Sequence, residues 1–207
     1  ILIVVYRSPI LWIIPLLSAL FALSTAGGIV YLLAKNDIID VDGQSQGILS
    51  VLVIGAATDY ALLLIARYRE ELHLHENRFD AMRATYKGVW EPILASGSTV
   101  AISLLVLLFS QLTNTAGLGP VGAIGIVCSM ITILTLLPAL LLLFGRWIFW
   151  PRRPEFDGDD HVLSGTWSKI GSSIGRRPRR AWIITGVVLL GFAFMSPTLK
   201  ADGIGTV

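Results

Sequence analysis

Apolar residues run along this chain in long uninterrupted stretches separated by short charged segments, and the length of each stretch predicts the elements. The hydrocarbon core of a bilayer is about 30 Å thick and takes roughly 20 apolar residues of helix at 1.5 Å rise per residue. Residues 10–34 carry no charge and have Pro15 near their start, where a membrane helix tolerates proline. Residues 47–66 hold a single charge, Asp59. Residues 92–112 open on Pro92, a residue suited to a first helical turn, and residues 120–145 contain Pro138. A shorter run, 181–199, crosses if Ser196 and Pro197 sit in the interface. Five spanning helices follow, with an all-α integral membrane bundle as the fold class.

The intervening segments carry helical periodicity of another kind. Phe79, Met82, Tyr86 and Val89 recur on one face within 67–91, and Leu163, Trp167, Ile170 and Ile174 within 146–180. Each stripe predicts an amphipathic helix lying on the membrane surface, the second flanked by Lys169, Arg176 and Arg177. Anchoring is the plain role for both, with gating as the sharper alternative.

Composition agrees with a lipid solvent: 54% of residues are hydrophobic, 14% are charged, and the mean hydropathy is +0.73. The net charge of +2 conceals an asymmetry. Arg67, Arg69, Arg78, Arg83 and Lys87 follow the Asp59 span, and Arg146, Arg152, Arg153, Lys169, Arg176, Arg177, Arg179 and Arg180 precede the last one. The opposite loops carry only Lys35 and Lys200. The positive-inside rule places the basic loops in the cytoplasm and the protein in the cell (plasma or inner) membrane, with membrane lipids as partners and no nucleic acid. The chain opens on Ile-Leu-Ile-Val-Val-Tyr without an initiator methionine and stops soon after its last span, so it reads as a piece of something longer. Residues 1–6 would then end a truncated helix, and 200–207 would begin an extracytoplasmic segment.

Few residues offer chemistry. Cys128 is the only cysteine, which excludes an intrachain disulfide and leaves a packed thiol. His73 and His75 are interleaved with Glu70, Glu71 and Glu76 and have no further ligands at metal-site spacing, so neither a metal nor a cofactor is expected. Gly117 and Gly119 lack the βαβ context of a dinucleotide site, and no nucleotide-binding Gly-x-x-x-x-Gly-Lys-Ser/Thr run occurs.

Asp59 stands apart. It falls about twelve residues, or roughly 18 Å, into its span, near the midplane. An ionised carboxylate at that depth costs at least about 2.5 to 3.5 kcal/mol, so the residue needs a partner, a water path or a proton. Gly55 and Ala56 share its face and leave room for another helix to approach. Ser96, Thr99 and Ser103 on the next span, with Ser98 beside them, and Gly122, Gly125, Ser129 and Thr132 on the one after, form small or hydroxylated faces able to pack on the Asp59 helix. Tyr60 lies 100° further round, so it cannot face the same neighbour as Asp59 in the same way. A structural carboxylic acid is the bland alternative to a proton carrier.

The segment Gly55-Ala-Ala-Thr-Asp59-Tyr60-Ala-Leu-Leu-Leu-Ile65 resembles the resistance-nodulation-division (RND) superfamily, and within it the mycobacterial membrane protein large (MmpL) family. The resemblance continues through Arg67-Tyr-Arg-Glu-Glu71, Asp80-Ala-Met-Arg-Ala84, Pro92-Ile-Leu-Ala-Ser-Gly-Ser-Thr99, Gly117-Leu-Gly-Pro-Val-Gly122 and Leu136-Leu-Pro-Ala-Leu140. It implies a partial RND-type helix bundle: the end of helix two, helices three to six, a cytoplasmic linker and helix seven of a transporter built from two six-helix halves. It further implies proton-driven export of a lipid, glycolipid or hydrophobic metabolite, with Asp59 and Tyr60 as a relay meeting an equivalent pair on the second half, and Gly55, Ser96, Ser98 and Thr99 in support. The runner-up is a sterol- or hopanoid-sensing, lipid-binding module without proton coupling. A membrane-embedded protease needs a second carboxylate within a span, and Glu91 sits instead where a helix start is expected.

Overall fold

The computed structural model describes residues 11–39, 41, 43–109, 113–150 and 166–195. The chain divides into two compact units, residues 1–159 and 160–207. The described part of the first contains four long helices: α1 (Ile13–Lys35), α2 (Gly43–Leu74), α3 (Arg78–Leu105) and α4 (Thr113–Phe144). Short 3-10 segments, Val106–Phe109 and Gly145–Phe149, extend α3 and α4. In the second unit an amphipathic helix α5 (Thr166–Arg176) is followed by the apolar helix α6 (Pro178–Met195).

Length and apolarity qualify four helical stretches to cross a membrane: Ile13–Lys35, Ser45–Leu74, Arg78–Phe109 and Gly117–Phe149. They correspond to the first four expected spans. Of the fifth expected span, 181–199, the described part is the helix α6 up to residue 195, which is not among these four, and 196–199 lie outside the described residues. So do residues 1–6 and 200–207, Arg152, Arg153 and Leu163.

Packing is organised around α4, which touches α1, α2 and α3. Small residues set the approach distances. α1 buries Ser18, Ala19, Ala22 and Ala26 along one stripe. On α4, a Cβ at Gly125 would stand 2.6 Å from both Leu49 Cδ1 and Val53 Cγ2 of α2, and one at Gly119 would stand 2.6 Å from the Leu104 carbonyl oxygen of α3. Helices in lipid associate through such close van der Waals contact, because lipid tails give no hydrophobic drive between them. Away from these seams the spans stay apolar and largely uncovered, with only 17% of the most apolar stretch of Arg78–Phe109 buried. A surface that apolar is compatible with hydrocarbon or further helices around it and not with water.

Two helix ends turn through left-handed residues. Asp37 (φ 55°) follows α1, where the Asp37 N–H donates to the Ala34 carbonyl and the Ile38 N–H to the Leu33 carbonyl. This is the Schellman pattern, which satisfies carbonyls left over at a helix end. Gly145 (φ 57°) follows α4 and redirects the chain into Gly145–Phe149.

One expectation is corrected. Residues 78–91 do not form a separate helix lying on a surface: they are the first half of α3, continuous with the apolar run that follows, and Pro92 is internal to that helix. Glu91 is likewise internal and exposed, not at a helix start. The N–H that Pro92 lacks would have bonded the carbonyl of Gly88, and a helix in a bundle accommodates that loss. The predicted stripe is split as a result. Met82 and Val89 are buried, while Phe79 and Tyr86 are exposed.

Candidate functional site

Asp59 stands sixteen residues after Gly43 and fifteen before Leu74, at the middle of α2. Its apolar flanks, Leu52-Val-Ile54 and Ala61-Leu-Leu-Leu-Ile65, keep the helix in hydrocarbon on both sides. Among the described residues it is the only Asp, Glu, Lys or Arg in the apolar middle of the four spans. Its side chain is exposed, and so are Gly55, Val51 (75%) and Leu63 on the same side of α2. Nothing lies within 4 Å of the point where a Cβ at Gly55 would stand. The face that carries the carboxylate is therefore left uncovered by the other helices described in its own unit, α1, α3 and α4.

Tyr60 takes the opposite course. Its side chain is only 9% exposed and belongs to the core cluster with Ala57, Ala61 and Leu64. The 100° step between neighbours on a helix thus sends Asp59 outward and Tyr60 into the bundle. Thr58 donates back to the Ile54 carbonyl at 2.8 Å and the Gly55 carbonyl at 2.9 Å, occupying its hydroxyl on the helix backbone just before the carboxylate.

The two neighbouring polar faces behave differently. The α4 face packs on the Asp59 helix as expected: Gly122 meets Leu52, Gly125 meets Leu49 and Val53, and the buried Ser129 hydroxyl donates to its own Gly125 carbonyl at 2.9 Å and to the Val53 carbonyl of α2 at 3.4 Å. The α3 face does not. Ser96, Ser98, Thr99 and Ser103 are exposed, and three of them donate within α3: Ser98 and Thr99 to Ala95, Ser103 to Thr99. What α3 buries instead is Gly97, whose missing Cβ is replaced by the Met130 side chain of α4.

At the basic end of the bundle lies a cluster that sequence reasoning missed. Glu71 is buried and accepts from Arg67 at 2.7 Å, and the His75 ring nitrogen lies 3.3 Å from its other oxygen. Arg67 also reaches Glu70 at 3.0 Å. The Arg146 guanidinium, just past α4, donates to the His75 carbonyl at 2.7 Å and the Glu76 carbonyl at 3.1 Å, tying the end of α2 to the end of α4. Beside it the Tyr68 ring packs against Phe149, with centroids 6.3 Å apart. Asn77 accepts from the Phe79 N–H at 3.0 Å and caps α3. The i, i+4 spacing of Arg67, Glu71 and His75 was the available signal. His75 thus serves this ion-pair cluster, and the described residues contain no group of three or more metal-ligating side chains.

A model of the MMPL family matches residues 1–181. The chain belongs to the MMPL family. Among relatives, it is 50% identical over 204 residues to a Streptomyces coelicolor protein named as a membrane protein, ActII-3, covering 99% of this chain and 29% of that one. It is 35% identical over 213 residues to the apo-petrobactin exporter of Bacillus anthracis, covering 96% of this chain and 29% of the exporter. It is 34% identical over 195 residues to the transport protein MmpL12 of Mycobacterium tuberculosis, covering 93% of this chain and 16% of that protein. The chain therefore spans less than a third of the length of these MMPL relatives. Family, relatives and the four apolar helices together place it in a membrane.

Proposed function

We propose that this chain is the first-half transmembrane portion of an RND-type exporter driven by the proton-motive force, in which Asp59 takes up and releases the proton. The observation that carries the reading is a lone carboxylate midway along a spanning helix, on a face that α1, α3 and α4 leave uncovered. In the whole transporter that face meets the second half, whose partner groups and water path stabilise the charge when the proton leaves. A proton crossing 100 mV releases about 2.3 kcal/mol, so a few protons per cycle are enough to drive extraction of a hydrophobic molecule.

Tyr60 is the second member of the relay in this reading. Its ring is held in the core of its own unit, and its phenol hydroxyl is the group that would serve a partner. Exposed Ser96, Ser98 and Thr99 give α3 a polar surface, which in this reading supports the relay. The cargo is a lipid, glycolipid or hydrophobic metabolite, handled by parts of the transporter beyond this chain. Export by a relative, the apo-petrobactin exporter, supports the class of activity.

The test is Asp59→Asn in the full-length protein. The amide is nearly isosteric and removes a charge from the middle of a spanning helix, so the variant is expected to express and insert normally while transport falls to background. Undiminished transport in the variant at equal membrane abundance would falsify the proton-carrier role.

A further inference from the structure

We propose that the turn joining α5 to α6 is a binding site for the phosphodiester headgroup of an anionic phospholipid. Arg176, Arg177, Pro178, Arg179 and Arg180 together line an open cleft of about 400 Å³. All five side chains are exposed. The proline ends one helix and opens the next, so the two arginine pairs stand on either side of a bend. The backbone closes this bend on itself, with the Arg177 N–H donating to the Ile174 carbonyl and the Arg180 and Ala181 N–H groups to the Arg177 carbonyl. Among the described residues no hydrogen bond or ion pair engages the four guanidinium groups.

Charge selects the ligand's sign. From Thr166 to Met195 the sequence holds Lys169 and the four arginines and no acidic residue. Like charges this close repel one another, and an anion between them relieves the repulsion. Chemistry selects phosphate, because the guanidinium fork donates two parallel hydrogen bonds to phosphate oxygens and is less strongly hydrated than an ammonium.

Position selects a lipid over a soluble anion. Immediately after Arg180 the helix becomes apolar, with Trp182 exposed (68%) and Ile183, Ile184, Val187, Val188 and Leu190 exposed along it. Immediately before Arg176 runs the amphipathic α5, whose Ile174 is exposed. An arginine cluster between an amphipathic helix and an apolar one lies at the depth of the headgroups, with tryptophan at the level where its ring favours the interface. There a bound phospholipid satisfies both chemistries at once: phosphate on the arginines and acyl chains along α6.

The experiment measures binding of dioleoyl phosphatidylglycerol and dioleoyl phosphatidylcholine to the purified full-length protein by native mass spectrometry. Wild type is expected to prefer phosphatidylglycerol at least about tenfold, since each juxtamembrane basic residue near an anionic surface contributes roughly fivefold. Replacing Arg176, Arg177, Arg179 and Arg180 together by Gln is expected to bring the preference to within about twofold of unity. The same four positions changed to Lys keep the charge and the topology signal and lose the fork, so this variant inserts as wild type and is expected to lose about threefold or more. Arg83→Gln with Lys87→Gln removes charge elsewhere and is expected to change nothing. The proposal is overturned if wild type shows no preference, if the Gln or Lys quartet binds like wild type, or if the Arg83/Lys87 control loses as much as the quartet. Inorganic phosphate alone supplies the last arm: displacement of phosphatidylglycerol by low-millimolar phosphate would make this a soluble-anion site and end the lipid assignment.

Discussion

Single residues decide how closely these helices approach. A Cβ added at Gly119 would stand 2.6 Å from the Leu104 carbonyl oxygen, an atom of the helix backbone that cannot swing aside. Gly119→Ala is therefore expected to destabilise the bundle by about 1 to 3 kcal/mol, as overpacking of a well-packed seam does. Thermal unfolding of the detergent-solubilised protein checks this, and an unchanged midpoint would mean that the α3–α4 contact is looser than described. Asp37 offers the opposite sign. It holds a left-handed conformation that glycine adopts without strain, so Asp37→Gly is expected to raise stability by up to about 1 kcal/mol in the same assay. Asp59 belongs to another category of residue, because its exposed side chain takes no part in the core of its unit and the role proposed for it is proton carriage.

At the scale of elements, the end of α2 is held from outside itself. Carbonyls in the last turn of a helix have no partner within that helix, and Arg146 supplies donors to the two that follow, His75 and Glu76. With the Arg67–Glu71–His75 cluster it ties the end of α2 to the end of α4 at the basic end. Arg146→Gln is expected to cost on the order of 1 kcal/mol, discounted for partial exposure. Hydrogen exchange should report a loss of protection over residues 72–78 with little change near Asp59. Equal protection in mutant and wild type would show that the hairpin stands without the Arg146 contact. The continuity of α3 through Pro92 has the same logic: the hydrogen bond lost at Gly88 is one among many in a long helix packed on α2 and α4.

For the whole molecule, the distribution of basic residues predicts which side of the membrane each end of the bundle faces. In a cysteine-free background of the full-length protein, with Cys128→Ser among the changes, a cysteine at Glu76 should resist a membrane-impermeant thiol reagent in intact cells and react after permeabilisation. A cysteine at Lys35, at the other end of the bundle, should react in intact cells. The reverse pattern would invert the topology and with it the direction of proton flow in the proposed mechanism.

Much of this protein was legible in the sequence because lipid imposes a one-dimensional rule. A backbone in hydrocarbon must satisfy its own hydrogen bonds, so a run of about 20 apolar residues is a helix whatever surrounds it, and a carboxylate within such a run is conspicuous. The four long helices and the isolation of Asp59 were within reach of that rule, and the stripe of small residues at Gly125 and Ser129 marked the α4 face that packs on α2. Tertiary structure decided the rest. Whether residues 78–91 lie on a surface or continue a span depends on the α2 face they pack against, which periodicity does not encode. The destination of the Ser96–Ser103 hydroxyls depends on which side of α3 meets α4, and Gly97, not the hydroxyls, takes that side. The opposed fates of Asp59 and Tyr60 follow from a rotation of α2 that only its neighbours fix, since an apolar span in lipid has no intrinsic inside.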